Sequence, residues 1–143
     1  MAAENFNFPA MSPASCDIFC NVIDNYGDIG VSWRLARQLA NEHSLAVRLW
    51  VDDLGSLAKM CPEVDVEAKQ QMCRSVELCH WTADAFFMLP QPLFCSWEGG
   101  AAELVIEAFA CKLPQSYIEA MVAQQKKPVW VNLEHLSAED WVE

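Results

Sequence analysis

The sequence predicts an α/β fold, a mostly parallel sheet with helices on both faces. Apolar, β-branched runs alternate with stretches of helical periodicity, the pattern of parallel strands joined by right-handed crossovers. The strongest instance opens the chain. Ile18-Phe19-Cys20-Asn21-Val22-Ile23 reads as a buried strand, Asp24-Asn25-Tyr26-Gly27-Asp28-Ile29-Gly30 as a tight glycine turn, and Val31 to Ala40 as a helix. Strand, turn and helix make the first half of a βαβ unit, and ligands collect at the carboxyl ends of the strands in such units. Two carboxylates, Asp24 and Asp28, bracket this turn.

Residues 1–15 carry prolines, Glu4 and no basic cluster. They lack the charged start and apolar middle of a secretory signal and read as a flexible tail ahead of a single domain over 16–143. In the first helix Val31, Leu35 and Leu39 share one face. Leu45 to Val51 follows as a second strand ending in Asp52-Asp53, then Gly55 to Met60 as a short helix stopped near Pro62. Val64 to Arg74 is expected to add a helical turn or two. Val76 to Trp81 alternates as a third strand. Residues 82–102 mix large apolar side chains with Pro90, Pro92, Gly99 and Gly100, which argue against a central strand or a long helix; they read as a packed loop or a contact surface.

Leu104 to Phe109 is the fourth strand, its centre suited to a sheet covered on both faces. Past Pro114, Ser116 to Gln124 reads as a helix with Ser116 as N-cap and Glu119 three positions on. Val129 to Leu133 is the fifth strand. Ser137-Ala138-Glu139-Asp140 resembles a capping box, and the chain stops three residues later. A helix cut short so early leads us to expect the front half of something larger.

The 143 residues are 53% hydrophobic, enough for one domain with a real core. No apolar run approaches a membrane span. A net charge of −11 argues against binding nucleic acid through a phosphate-neutralising surface. Seven cysteines, an odd number, several inside apolar runs and with no export signal, read as free buried thiols in a reducing cytoplasm. There is no C-x-x-C, and His43, His80 and His135 stand at no ligand spacing, so no metal site is expected. Trp33, Trp50, Trp81 and Trp130 read as core or interdomain packing rather than sugar platforms.

Three readings compete for the turn. In the first, Asp28 caps the helix, Asp24 ties down the loop and the glycines supply unusual backbone angles. The second is a dinucleotide site, as in an NAD(P)-dependent oxidoreductase domain, with Asp52 or Asp53 as the ribose-binding acid. Against it, the glycine pattern is only G-x-x-G, and Asp28 would set a carboxylate where a pyrophosphate should sit. The third is a catalytic carboxylate pair. Asp24 and Asp28 can converge on one cationic or hydroxylated group, one holding the nucleophile while the other accepts its proton. A plain protein-interaction domain without chemistry remains a further alternative.

Four blocks then carry a resemblance. Asp17 to Leu39, Val47 to Leu54, Val105 to Pro114 and Trp130 to Glu139 closely resemble the start of the bacterial elongation factor P arginine rhamnosyltransferases, in family order across nearly the whole chain. The resemblance implies two Rossmann-like domains facing across a cleft, the GT-B arrangement. It implies inverting transfer of rhamnose from dTDP-β-L-rhamnose to one arginine of elongation factor P, in the cytoplasm and without a cofactor. The N-terminal domain of such enzymes carries the aspartates and docks the acceptor protein; the C-terminal domain holds most of the nucleotide-sugar site. This chain resembles the N-terminal domain alone, and alone it is expected to be inactive. By the same resemblance Asp28 is the base and Asp24 binds or polarises the guanidinium. Asn25, Tyr26, Gly27, Ile29 and Gly30 would shape the substrate site, and Glu107 and Glu134, at later strand ends, would help to bind the arginine. The chemistry is consistent: a guanidinium is a poor nucleophile with a pKa above about 12, and a carboxylate pair can grip it, orient one nitrogen and take a proton.

Overall fold

A computed structural model describes residues 14–22, 27–81, 100–109 and 111–134. The elements are β1 (Ser15–Cys20), α1 (Gly27–Glu42), β2 (Ala46–Val51), α2 (Leu54–Met60), β3 (Gln70–Cys73), β4 (Val76–His80), β5 (Leu104–Ala108), α3 (Gln115–Ala123) and β6 (Val129–Leu133). The described strands form one sheet in the order β3-β4-β2-β1-β5-β6. All pairings are parallel except β3 on β4. Taken alone, the parallel strands run outward from β1 in both directions, the doubly wound order of a Rossmann-like domain. The strand order therefore reverses at β1, and the crevice such a reversal opens lies at the carboxyl ends of β1 and β5.

Each face has its own apolar core. On one, α1 and α2 cover Ile18, Leu49, Leu78 and Ile106. On the other, α3 brings Tyr117 and Met121 onto Phe19, Trp50 and Val105. Phe19 centres this second core: Trp50 stacks on it at 5.3 Å, while Trp81 and Tyr117 meet it edge-on at 5.3 and 4.7 Å. Trp33, Trp50 and Trp81 are thus core residues. Trp130, on the outermost strand, is exposed within this chain.

Several elements depart from the sequence reading. β1 starts and stops earlier than Ile18–Ile23, because Asn21 and Val22 leave the ladder for side-chain partners. Asn21 Nδ2 donates to the Cys111 carbonyl at 3.1 Å, and the Val22 N–H donates to Asp52 Oδ1 at 2.8 Å. α1 begins at Gly27, so its buried stripe is Ile29, Ser32, Trp33 and Ala36, spaced i, i+3, i+4, i+7. Leu35 and Leu39 pack at the margin of that stripe and Val31 is exposed.

In place of the helical turns expected in Val64–Arg74, residues 64–69 are turns and irregular backbone and Gln70–Cys73 is strand β3, folded back on β4 with Cys73 opposite Val76. The two-residue loop between them, Arg74-Ser75, has φ of +50° and +69°. Two left-handed residues in a row make the tight turn that matches strand twist, a position where Asn-Gly is the comfortable choice. In α3 Ser116 is not the cap. Pro114 holds that place with no side-chain bond, and its carbonyl takes the N–H groups of Tyr117 and Ile118 at 3.0 and 3.1 Å. Residues 82–99 and the capping box at 137–140 lie outside the described residues.

Candidate functional site

The site grows from the carboxyl end of β1. The chain leaves the sheet there under two restraints from neighbouring strands. Asn21 reaches to the segment after β5, and Asp52, just past β2, receives the Val22 N–H. The same segment after β5 is locally strained: Phe109 and Lys112 both take positive φ, +54° and +60°, and neither is glycine. Such backbone persists where surrounding structure over-determines it, and it clusters at ligand sites.

Asp28 lies in the first turn of α1, 3% exposed, on the sheet-facing side of the helix. The partial positive charge of a helix start favours negative charge at this position. Below it sits Cys20, the last residue of β1. Burial pushes the Cys20 thiol up to about 11, and the negative charges of Asp28 and Asp52 act in the same direction. A thiol so held stays protonated at neutral pH and is no nucleophile.

The sequence-predicted site residues divide. Asp24, Asn25 and Tyr26 lie outside the described residues. Ile29 is wholly buried in the core beside Asp28. Gly27 and Gly30 look the other way, into a cleft of about 410 Å³ lined also by Trp33, Arg34, Arg37 and Arg74. A Cβ on Gly30 would meet Met60 Cε at 3.5 Å, an ordinary contact, so close packing does not demand glycine there. Arg37 lies over the Trp33 ring at 5.3 Å. Its three arginines make this cleft a positively charged surface, unlike the surroundings of the buried Asp28 carboxylate.

Glu107 stands beside Phe19 on the neighbouring strand, half-buried, and its Oε1 accepts the Leu113 N–H at 3.2 Å. It ties down the strained segment after β5. Glu134 is exposed just past β6, two strands from β1.

The acids of the dinucleotide reading are engaged locally. Asp53 caps α2, accepting from Ser56 N–H at 3.2 Å and Ser56 Oγ at 2.8 Å, and those bonds hold its pKa down. Asp52 serves Val22. Sequence reasoning missed Asn21 and Asp52 as the residues that position this edge, since a strand-end polar residue signals nothing until its partner is known.

Fold and site together define a Rossmann-like α/β domain with a buried acid where its strand order reverses. Residues 16–143 match the model of the family described as Elongation-Factor P (EF-P) rhamnosyltransferase EarP, and the chain belongs to that family. It is 55% identical over 130 residues to a protein-arginine rhamnosyltransferase of Pseudomonas putida, covering 91% of this chain and 32% of that protein. To the protein of the same name from Pseudomonas aeruginosa it is 49% identical, over 90% of this chain and 31% of the relative. The Shewanella oneidensis protein of that name is 45% identical, over 89% and 31%. The chain thus spans about a third of the length of these relatives.

Proposed function

We propose that this chain is the acceptor-binding, base-bearing half of a protein-arginine rhamnosyltransferase. The enzyme transfers rhamnose, with inversion, from dTDP-β-L-rhamnose to an arginine of translation elongation factor P. The observation that carries the reading is Asp28, buried at the mouth of the crevice where the strand order turns, in a chain of this family. The relatives' names supply the acceptor class and the sugar.

The acceptor guanidinium is delocalised and fully protonated, so it must be oriented and deprotonated to attack an anomeric carbon. Asp28 takes the proton as the new C–N bond forms and the anomeric C–O bond breaks, dTDP leaving with that bond's electron pair, and Asp24 grips the cation through charge-assisted hydrogen bonds. By the family resemblance Asn25 and Tyr26, next to Asp24 in sequence, contribute to acceptor binding; Gly27, which lines the arginine-bordered cleft, is not part of that contact. Glu107 and Glu134 lie at the ends of the next two strands, where they add negative charge around the incoming arginine. In a GT-B arrangement the nucleotide sugar is held mainly by a second Rossmann-like domain. The local engagement of Asp52 and Asp53 speaks against the dinucleotide alternative.

Calorimetric titration of this chain tests the assignment. We expect measurable binding of elongation factor P, and weak or no binding of dTDP-β-L-rhamnose or of NAD(P). Tight dinucleotide binding, or nucleotide-sugar binding with none of the acceptor protein, overturns it.

A further inference from the structure

Three donor side chains that the transfer reaction does not use meet at the other end of the domain's first half. Cys61 closes the C-terminus of α2, Glu63 follows two residues later, and Cys73 ends β3. Cys61 Sγ and Cys73 Sγ are 3.4 Å apart. Cys61 Sγ lies 3.7 Å from Glu63 Oε1, and Cys73 Sγ 3.9 Å from Glu63 Oε2. One donor atom from each residue fits within 4.8 Å of the others.

These distances have a simple geometric meaning. A tetrahedral zinc ion holds thiolate sulfur at about 2.3 Å and carboxylate oxygen at about 2.0–2.2 Å, which sets neighbouring sulfurs about 3.8 Å apart and sulfur from oxygen about 3.5 Å. The sulfur–sulfur separation and that of Cys61 Sγ from Glu63 Oε1 lie within about 0.4 Å of these edges, while Cys73 Sγ is set against the other oxygen, Oε2, so one oxygen serves both edges once the exposed carboxylate turns. We propose that Cys61, Glu63 and Cys73 form a zinc site, with a water completing the tetrahedron.

Charge and exposure agree. Two thiolates and a carboxylate carry three negative charges, which the metal and Arg74 balance. Arg74 grips the carboxylate at 2.8 and 2.9 Å, the kind of outer partner that orients a metal-binding acid. Both sulfurs are buried, while Glu63 is open to solvent and leaves the fourth position accessible. Binding releases the two thiol protons to solvent and breaks no other bond. The metal pins the end of α2 to the β3–β4 hairpin. The sequence reading expects no metal because it finds no C-x-x-C and no histidine at ligand spacing; the fold brings Cys61, at the end of α2, to Cys73, at the end of β3.

Cobalt(II) titration of the metal-free chain, under a non-thiol reductant, tests the site. We expect one equivalent to bind, with a thiolate-to-cobalt charge-transfer band and the intense visible bands of tetrahedral cobalt, all abolished by zinc. Cys61→Ser and Cys73→Ser should each lose the charge-transfer intensity of one sulfur, and Glu63→Gln should weaken binding tenfold or more. Zinc should raise the melting temperature of the parent and not of the double serine variant. Should the serine variants fail to fold, Glu63→Gln, at an exposed position, decides alone. Absent cobalt bands, bands unchanged in these variants, or a Cys61–Cys73 disulfide in place of a metal spectrum overturn the proposal.

Discussion

Asp17 and Arg48 face each other as register partners on β1 and β2, and the carboxylate grips the guanidinium with both oxygens, Nε to Oδ1 and Nη2 to Oδ2, each at 2.7 Å. Both are wholly buried. Asp17 also accepts from Trp50 Nε1 at 3.0 Å and Tyr117 Oη at 2.5 Å, while Arg48 Nη2 donates to the Gly100 carbonyl at 3.1 Å. The pair therefore bridges the sheet, α3 and the loop before β5. Removing one member strands the other's charge in the core. Asp17→Ala is expected to cost about 3–5 kcal/mol in urea denaturation, whereas a well-packed apolar replacement of both residues should recover most of it.

Alkali is expected to unfold the chain gradually. Burial pushes the thiols of Cys20 and Cys111 up to about 11 and about 12, against 9.0 for a free thiol. Burial raises Cys16 and Cys79 further, and Tyr117 is raised by burial and by Asp17. Above pH 9 the unfolded chain releases thiol protons that the native state retains, so the native state binds more protons and stability falls as pH rises. Each such thiol adds up to about 1.4 kcal/mol per pH unit to that slope. Denaturant midpoints measured from pH 8 to 11 should decline, and less steeply for Cys111→Ala than for the parent.

For the site, Asp28→Asn separates a structural role from chemistry. Asp28 stands inside the first turn of α1 rather than at its cap, and asparagine keeps its size and one acceptor oxygen while losing only the charge that favours a helix start, so unfolding should shift by less than about 1 kcal/mol. In the full-length enzyme, transfer should fall by at least about a hundredfold, the low end for loss of a general base. A variant that loses stability but keeps its rate per folded molecule would return Asp28 to a structural role.

The β3–β4 turn offers a gain. Ser75 holds φ of +69° without being glycine. Ser75→Gly should relieve the strain and raise stability by about 0.5–1 kcal/mol, read as a higher melting temperature. Arg74 is left in place because it holds Glu63.

The outer strand should govern association. Among the described residues β6 lies at the sheet edge, with Val129, Trp130 and Val131 all exposed. An apolar edge is a template for pairing with another strand. Sedimentation should detect concentration-dependent self-association of this chain, and Val131→Lys should reduce it.

The parallel strands were legible because their cause is local: β-branched, apolar runs need burial on both faces. Val129–Leu133 is found at its expected bounds, and Ala46–Val51 within one residue. What was not legible depends on partners distant in sequence. Asp17 and Arg48 look out of place in their apolar runs until the register sets them side by side. β3 is a polar stretch whose pairing with β4 comes from a turn of two left-handed residues that no glycine announces. The stripe of α1 was misread because its start lies in the turn itself. Asp28 was legible as an acid at a helix start, but its burial against Cys20 was not.

The tethers at Asn21 and Val22 bear on recognition as well as on folding. They come from the trailing ends of strands on either side of β1, so the backbone leaving the sheet is already aimed before any guest arrives. Freedom surrendered during folding is not surrendered again at encounter, and binding of the proposed arginine acceptor would be spared that loss. Asp52, thirty residues along the chain from the Val22 N–H it holds, is in this sense a fixture of the doorway.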